Sequence, residues 1–149
     1  MPLPTDSQKA TWRRLFRVQA HAHRHAETAL KSAGLPPLEV YDVLLELDRD
    51  EAEDGLTASQ LEPRLLLPQY GVSRLLDRLE ADGLIARRPN PEDQRSRLVT
   101  ITERGHALRA AIWEVYGDAI AGFFDTRLRP GEVDRLGTLL AELDNHPDA

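Results

Sequence analysis

The stretch VSRLLDRLEADGLIARRPNPEDQRSRLVTI, residues 72–101, changes its periodicity once, at Gly83, and that change decides the fold. Before the glycine, Val72, Leu75, Leu76 and Leu79 recur at three- and four-residue steps. They leave Ser73, Arg74, Asp77 and Arg78 on the other side of a helix. After the glycine, LIARR and RLVTI alternate as two strands, with Val99 and Ile101 on one face. Between them PNPEDQ, residues 89–94, supplies the Pro, Asn and Asp of a turn. A helix with one polar face therefore runs straight into a short hairpin that carries Arg88, Asp93, Arg95 and Arg97.

Working upstream, LTASQLEPRLLL reads as a short helix. Thr57 with Gln60, and Ser59 with Glu62, both have capping-box spacing. Proline is tolerated only near a helix start, so Pro63 favours Ser59 as the cap and a helix running to Leu67. The acidic run DRDEAEDG before it lacks the ligand spacing of a calcium loop and reads as solvated. Further back, PLEVYDVLLELDR gives a helix over about 37–49 with Leu38, Tyr41, Leu44, Leu45 and Asp48 in register. A long helix over 7–32 carries Leu15, Val18, Ala22, Ala26 and Ala29, ended by Gly34 and Pro36-Pro37. Downstream, Thr102 caps a second long helix to about Leu128, and a last helix starts near Pro130.

Two helices joined by a tight turn, the second with a polar face, make a helix-turn-helix, and a helix about 10–12 Å across fits the major groove of DNA. The residues off its apolar stripe are Gln69, Tyr70, Gly71, Ser73, Arg74 and Arg78. Arg reads guanine, Gln reads adenine, and Ser and Tyr hold phosphates. Gly71 allows close backbone approach to a phosphate at the helix start. The hairpin has the form of a wing, whose Arg95 suits the negative potential of a narrow minor groove. Asp93, two positions earlier, either pairs with that guanidinium or caps the turn.

Charge alone would not suggest DNA. The chain of 149 residues has a formal net charge of -6 and a pI near 5.4. Its distribution is uneven: residues 1–63 carry 7 Lys and Arg against 11 Asp and Glu, 64–104 carry 8 against 6, and 105–149 carry 4 against 8. The middle is basic between acidic flanks. Absence of cysteine excludes disulfides, thiolate metal sites and thiol switches. No apolar run is long enough for a membrane span and the first residues lack a secretion signal, so a cytoplasmic protein is expected.

The run from Gly55 to Gly105 resembles the core of MarR-family transcription regulators. Val72 to Ile85 matches the end of that family's helix-turn-helix, Asp93-Gln94-Arg95-Ser96 its wing, and Thr102 to Gly105 the step after it. The match departs at Pro68-Gln69-Tyr70-Gly71, where many members place a Ser or Thr cap. The resemblance implies a mainly α fold with a small β-wing: a winged helix-turn-helix over 37–102, flanked by dimerisation helices at 1–36 and 103–149, in one continuous globular unit. It implies a homodimer on a near-palindromic double-stranded operator, with Arg95 in the minor groove and Ser73, Arg74 and Arg78 on bases or phosphates. It further implies release from DNA by a small aromatic or anionic effector, for which Trp12, Phe16, Arg17, His25, Tyr41, Trp113 and Tyr116 are candidates. Each of these is also readable as plain core or surface. A repressor is expected on simplicity, since occluding a promoter needs no extra surface.

No cofactor is expected. In HAHRH, His21 and His25 share a helix face at the spacing of a two-histidine metal site, with His106 or Glu27 as conceivable further ligands. The run reads equally as a histidine-rich surface or a pH-sensitive contact, and no metal site is assigned. No nucleophile elbow, phosphate loop or zinc signature points to an enzyme. A winged helix used for protein–protein contact alone is the remaining alternative. It would have lost the wing arginine or the polar reading face, and both are present.

Overall fold

A computed structural model describes residues 1–67 and 71–145. The chain divides into two compact units, one of residues 1–26 with 117–149 and the other of residues 27–116. Among the described residues six α-helices and one two-stranded sheet follow in the order α1 (Asp6–Ser32), α2 (Leu38–Leu47), α3 (Ala58–Leu61), α4 (Val72–Ala81), β1 (Ile85–Asn90), β2 (Asp93–Ile101), α5 (Glu103–Asp125) and α6 (Pro130–Asn145). The fold is mainly helical with a β-wing, as expected. No helix among the described residues is long and apolar enough to cross a membrane.

In the unit of residues 27–116, the core gathers Val43, Leu44 and Leu47 of α2, Leu61 of α3, Val72, Leu75, Leu76 and Leu79 of α4, and Ile85 and Val99 of the wing. The α4 residues are the four of the sequence stripe, and burial of each contributes roughly 2 kcal/mol. Leu56 exchanges both backbone hydrogen bonds with Val99, at 3.0 and 2.7 Å, and so sews the segment before α3 onto β2. Gly105 permits the close packing that follows the wing. A Cβ there would lie 2.1 Å from the Leu84 carbonyl oxygen, a distance no side chain accommodates. Thr102 caps α5 as read from sequence: its Oγ1 accepts from Gly105 N–H at 3.1 Å and donates to the Gly83 carbonyl at 2.7 Å.

Three local readings are corrected. The cap of α3 is Thr57, whose hydroxyl accepts from Gln60 N–H while the Gln60 side chain accepts from Thr57 N–H. Pro63 ends that helix instead of starting it. Lacking an N–H, it opens a separate 3-10 turn over Glu62–Arg64, and the α-helix stops at Leu61. The wing turn is also shorter than expected. Asn90 pairs with Asp93, leaving Pro91 and Glu92 at the tip, because the two strands take in Pro89, Asn90, Asp93 and Gln94. Finally, α5 ends at Asp125, short of Leu128, where the Thr126 hydroxyl turns back to the Gly122 carbonyl.

In the unit of residues 1–26 with 117–149, Thr5 and Gln8 form a capping box that starts α1. His25 Nε2 lies 3.0 Å from the Ala119 carbonyl, and its ring lies 5.5 Å from that of Phe123. Arg127 sits 4.0 Å over the same Phe123 ring. Within the two acidic flanks the charge is sorted by helix. Six Lys and Arg stand against two Asp and Glu in α1, whereas α6 has one Arg against four acids. The acidity of residues 1–63 comes from the stretch after α1.

Candidate nucleic-acid interface

The reading face follows from the geometry of α4. With Val72, Leu75, Leu76 and Leu79 turned inward, Ser73, Arg74, Asp77 and Arg78 are exposed on the opposite side. The helix begins at Gly71, whose φ of 85° lies in the left-handed region that glycine occupies without strain. Among the described residues no side chain caps this end, which suits its first N–H groups to an anion. Gln69 and Tyr70, also read as DNA contacts, lie outside the described residues. Arg78 reaches back to Glu39 of α2 at 3.2 Å, an exposed pair worth little to stability and easily exchanged for another anion.

The wing is braced around its arginines. From Pro89–Arg97 to Asn90–Asp93 the register slips, so Gln94, Arg95 and Ser96 bulge out of the ladder. Asp93 stabilises the bulge by the second of its two expected routes: its Oδ1 accepts from Arg95 N–H at 3.0 Å. Ser96 Oγ donates to the Asp93 carbonyl at 3.2 Å and accepts from Asn90 Nδ2 at 3.0 Å. The backbone that presents Arg95 is thereby held while its side chain stays exposed. Arg97 and Arg88, the other wing cations, each donate to a carbonyl. Arg97 reaches that of Arg87 at 3.3 Å, and Arg88 that of Asp54 at 2.7 Å.

Sequence reading passed over Arg87, the residue that fixes wing to helix. Its Nη2 donates to Asp77 at 2.6 Å and to Glu80 at 2.9 Å, both on α4. The hydrogen bond from Arg87 holds the Glu80 carboxyl below its ordinary pKa, and the two carboxylates raise that of Arg87. The strand period offered the signal: Arg87 is two residues from Ile85, and alternate residues share a face.

The effector candidates fall into separate groups. Tyr41, Trp113 and Tyr116 form one aromatic cluster, with ring centroids 5.2–6.2 Å apart. Burial raises the pKa of both tyrosines, opposed at Tyr41 by Arg109 and reinforced at Tyr116 by Tyr41. The Trp12 and Phe16 rings meet at 5.4 Å, tilted by 54°, on the exposed surface of α1, where Arg17 is also exposed. His25 is engaged with Ala119 and Phe123. Glu27 accepts from Leu38 N–H at 2.7 Å. His106 meets the Asp48 carboxylate at 2.7 Å, a carboxylate that Arg109 shares. Among the described residues no three potential metal ligands gather.

The chain is similar to known transcription regulators in sequence and in fold. The family model described as MarR family matches residues 33–96. An uncharacterised HTH-type transcriptional regulator of Bacillus cereus (strain ATCC 10987 / NRS 248) is 30% identical over 138 residues, covering 92% of this chain and 88% of its own. The transcriptional activatory protein BadR of Rhodopseudomonas palustris is 29% identical over 119 residues, covering 74% of this chain and 65% of BadR. A crystal structure of a MarR variant from E. coli complexed with operator DNA superposes with a TM-score of 0.74 at 27% identity, over 88% of this chain and 91% of that one.

Proposed function

The chain belongs to the MarR family of transcription regulators, and on that premise we propose that it acts as a homodimer reading a near-palindromic DNA operator. The observation that carries this reading is the pairing of a polar α4 face, Ser73-Arg74 with Arg78, with a braced bulge that presents Arg95 beside it. In this reading α4 enters the major groove, where Arg74 and Arg78 reach base edges or phosphates. Arg95 enters the neighbouring minor groove, and Arg88 and Arg97 face the backbone. Gly71 leaves the start of α4 open to a phosphate.

The dimer rests on exposed apolar side chains. Trp12 and Phe16 of α1 and Leu139 and Leu143 of α6 are each more than 60% exposed in the single chain, more apolar surface than a monomer normally leaves in water. The opposite charges of α1 and α6 suit their meeting across two copies. The aromatic cluster of Tyr41, Trp113 and Tyr116, with Arg109 beside Tyr41, suits a small aromatic or anionic effector that relieves binding.

Repression is the simpler outcome, since occluding a promoter needs no surface beyond the reading head. The activatory role in BadR's name is the contrary case. Selection of bound duplexes from a random library, then titration of the winner at several salt concentrations, tests the core of the proposal. An enriched inverted repeat with a steep salt slope supports it. Absence of enrichment would return the chain to protein–protein contact.

A further inference from the structure

Asp42 is a carboxylate buried in the middle of a hydrophobic helix. It is 6% exposed and flanked on α2 by Tyr41 and Val43, both buried. Such a group is costly to bury unless its charge is met by donors. It is met by two: Oδ1 accepts from Leu66 N–H at 3.0 Å, and Oδ2 accepts from Leu67 N–H at 2.9 Å. These amides have no helical acceptor, because Pro63 ends α3 and the chain turns extended at Leu65. Leu67 lies only four residues before Gly71, the start of α4.

The usual local device for setting a helix start is missing at that point, since Gly71 provides no side-chain cap. Leu66 and Leu67, five and four residues before Gly71, are tied instead to α2, by a charge-assisted pair of bonds spanning 24 and 25 residues. Three residues earlier on α2, Glu39 meets Arg78, near the other end of α4, in an exposed pair at 3.2 Å. We propose that Asp42 is a positioning residue for DNA reading, its two backbone hydrogen bonds setting where α4 begins relative to α2. The role rests on the DNA-binding function proposed above.

Specific and non-specific binding depend on this position differently. Phosphate attraction tolerates a displaced helix, whereas bidentate contacts to bases fail when moved by an ångström. The test uses the full-length protein and two duplexes, the one selected from the random library and a scrambled one, in wild type, Asp42→Asn and Asp42→Glu. Asparagine keeps the size but turns an NH2 donor toward one of the two amides. Glutamate keeps both acceptors on a longer arm. Circular dichroism first sets a temperature at which each variant is folded, and if the asparagine variant does not fold, the glutamate variant serves alone. The expected result is a loss of about tenfold or more for the selected duplex, with affinity and salt slope for the scrambled duplex within about twofold. Equal losses on both duplexes in a folded variant, or no loss on either, would overturn the positioning role while leaving the DNA reading intact. A wild-type protein that prefers neither duplex would remove the DNA reading and this role with it.

Discussion

Arg95 is the residue on which the DNA reading is most exposed to test. Its backbone N–H is held by Asp93 within a bulge, and its side chain is exposed. A minor-groove arginine of this kind contributes through potential and not through a base code. Arg95→Ala is therefore expected to weaken binding to selected and scrambled duplexes alike and to lower the salt slope by about 1, measured by titration at several ionic strengths. Unchanged affinity and slope would show that the wing does not touch DNA. Asp93→Ala, which frees the Arg95 backbone but keeps the guanidinium, should lose affinity for the selected duplex with the slope nearly preserved. The same titration separates the two variants, because one removes the cation that meets DNA and the other removes a carboxylate while leaving that cation in place.

At the scale of elements, the reading helix and wing act as one piece because Arg87 ties β1 to Asp77 and Glu80. Glu80 titrates below its ordinary value of 4.5 because Arg87 donates to it. A carboxyl depressed in the folded state adds stability above its unfolded pKa and loses it as pH falls through the folded value. The tie is therefore complete at neutral pH and fails in acid below 4.5. Glu80→Gln should make urea midpoints less sensitive to pH in that window than wild type, and a parallel acid limb in both proteins would deny the tie any part in stability. The sequence revealed the helix and strands of this piece through their periods of 3.6 and 2, since apolar burial writes itself into spacing. It misled at Pro63, where one residue is compatible with starting or ending a helix and tertiary packing chose the end. It was silent on Asp42, whose partners lie 24 and 25 residues away and are backbone amides that every residue possesses. Arg87 was legible by alternation but was masked by the neighbouring Arg88, which shares its chemistry and not its face.

For the whole molecule, net charge is a poor guide because its signs are sorted by element. The negative sum of the first 63 residues conceals a basic α1 followed by an acidic stretch, and α6 is acidic. Trp12 and Phe16 on α1 and Leu139 and Leu143 on α6 remain exposed in the single chain, so covering them is the main gain open to a second copy. Leu139→Glu combined with Leu143→Glu would place two charges in that contact without touching α4 or the wing. Sedimentation velocity should then shift the protein from dimer to monomer while circular dichroism keeps its helical signal. Two linked heads convert the second half-site into an intramolecular event, so losing the link should cut affinity for the inverted repeat by about 100-fold or more. Affinity for a single half-site should barely change, because each head keeps its own α4, wing and Arg87 tie. A double variant that remains dimeric would move the interface elsewhere. A monomeric one that holds the inverted repeat as tightly as wild type would show that a single head suffices.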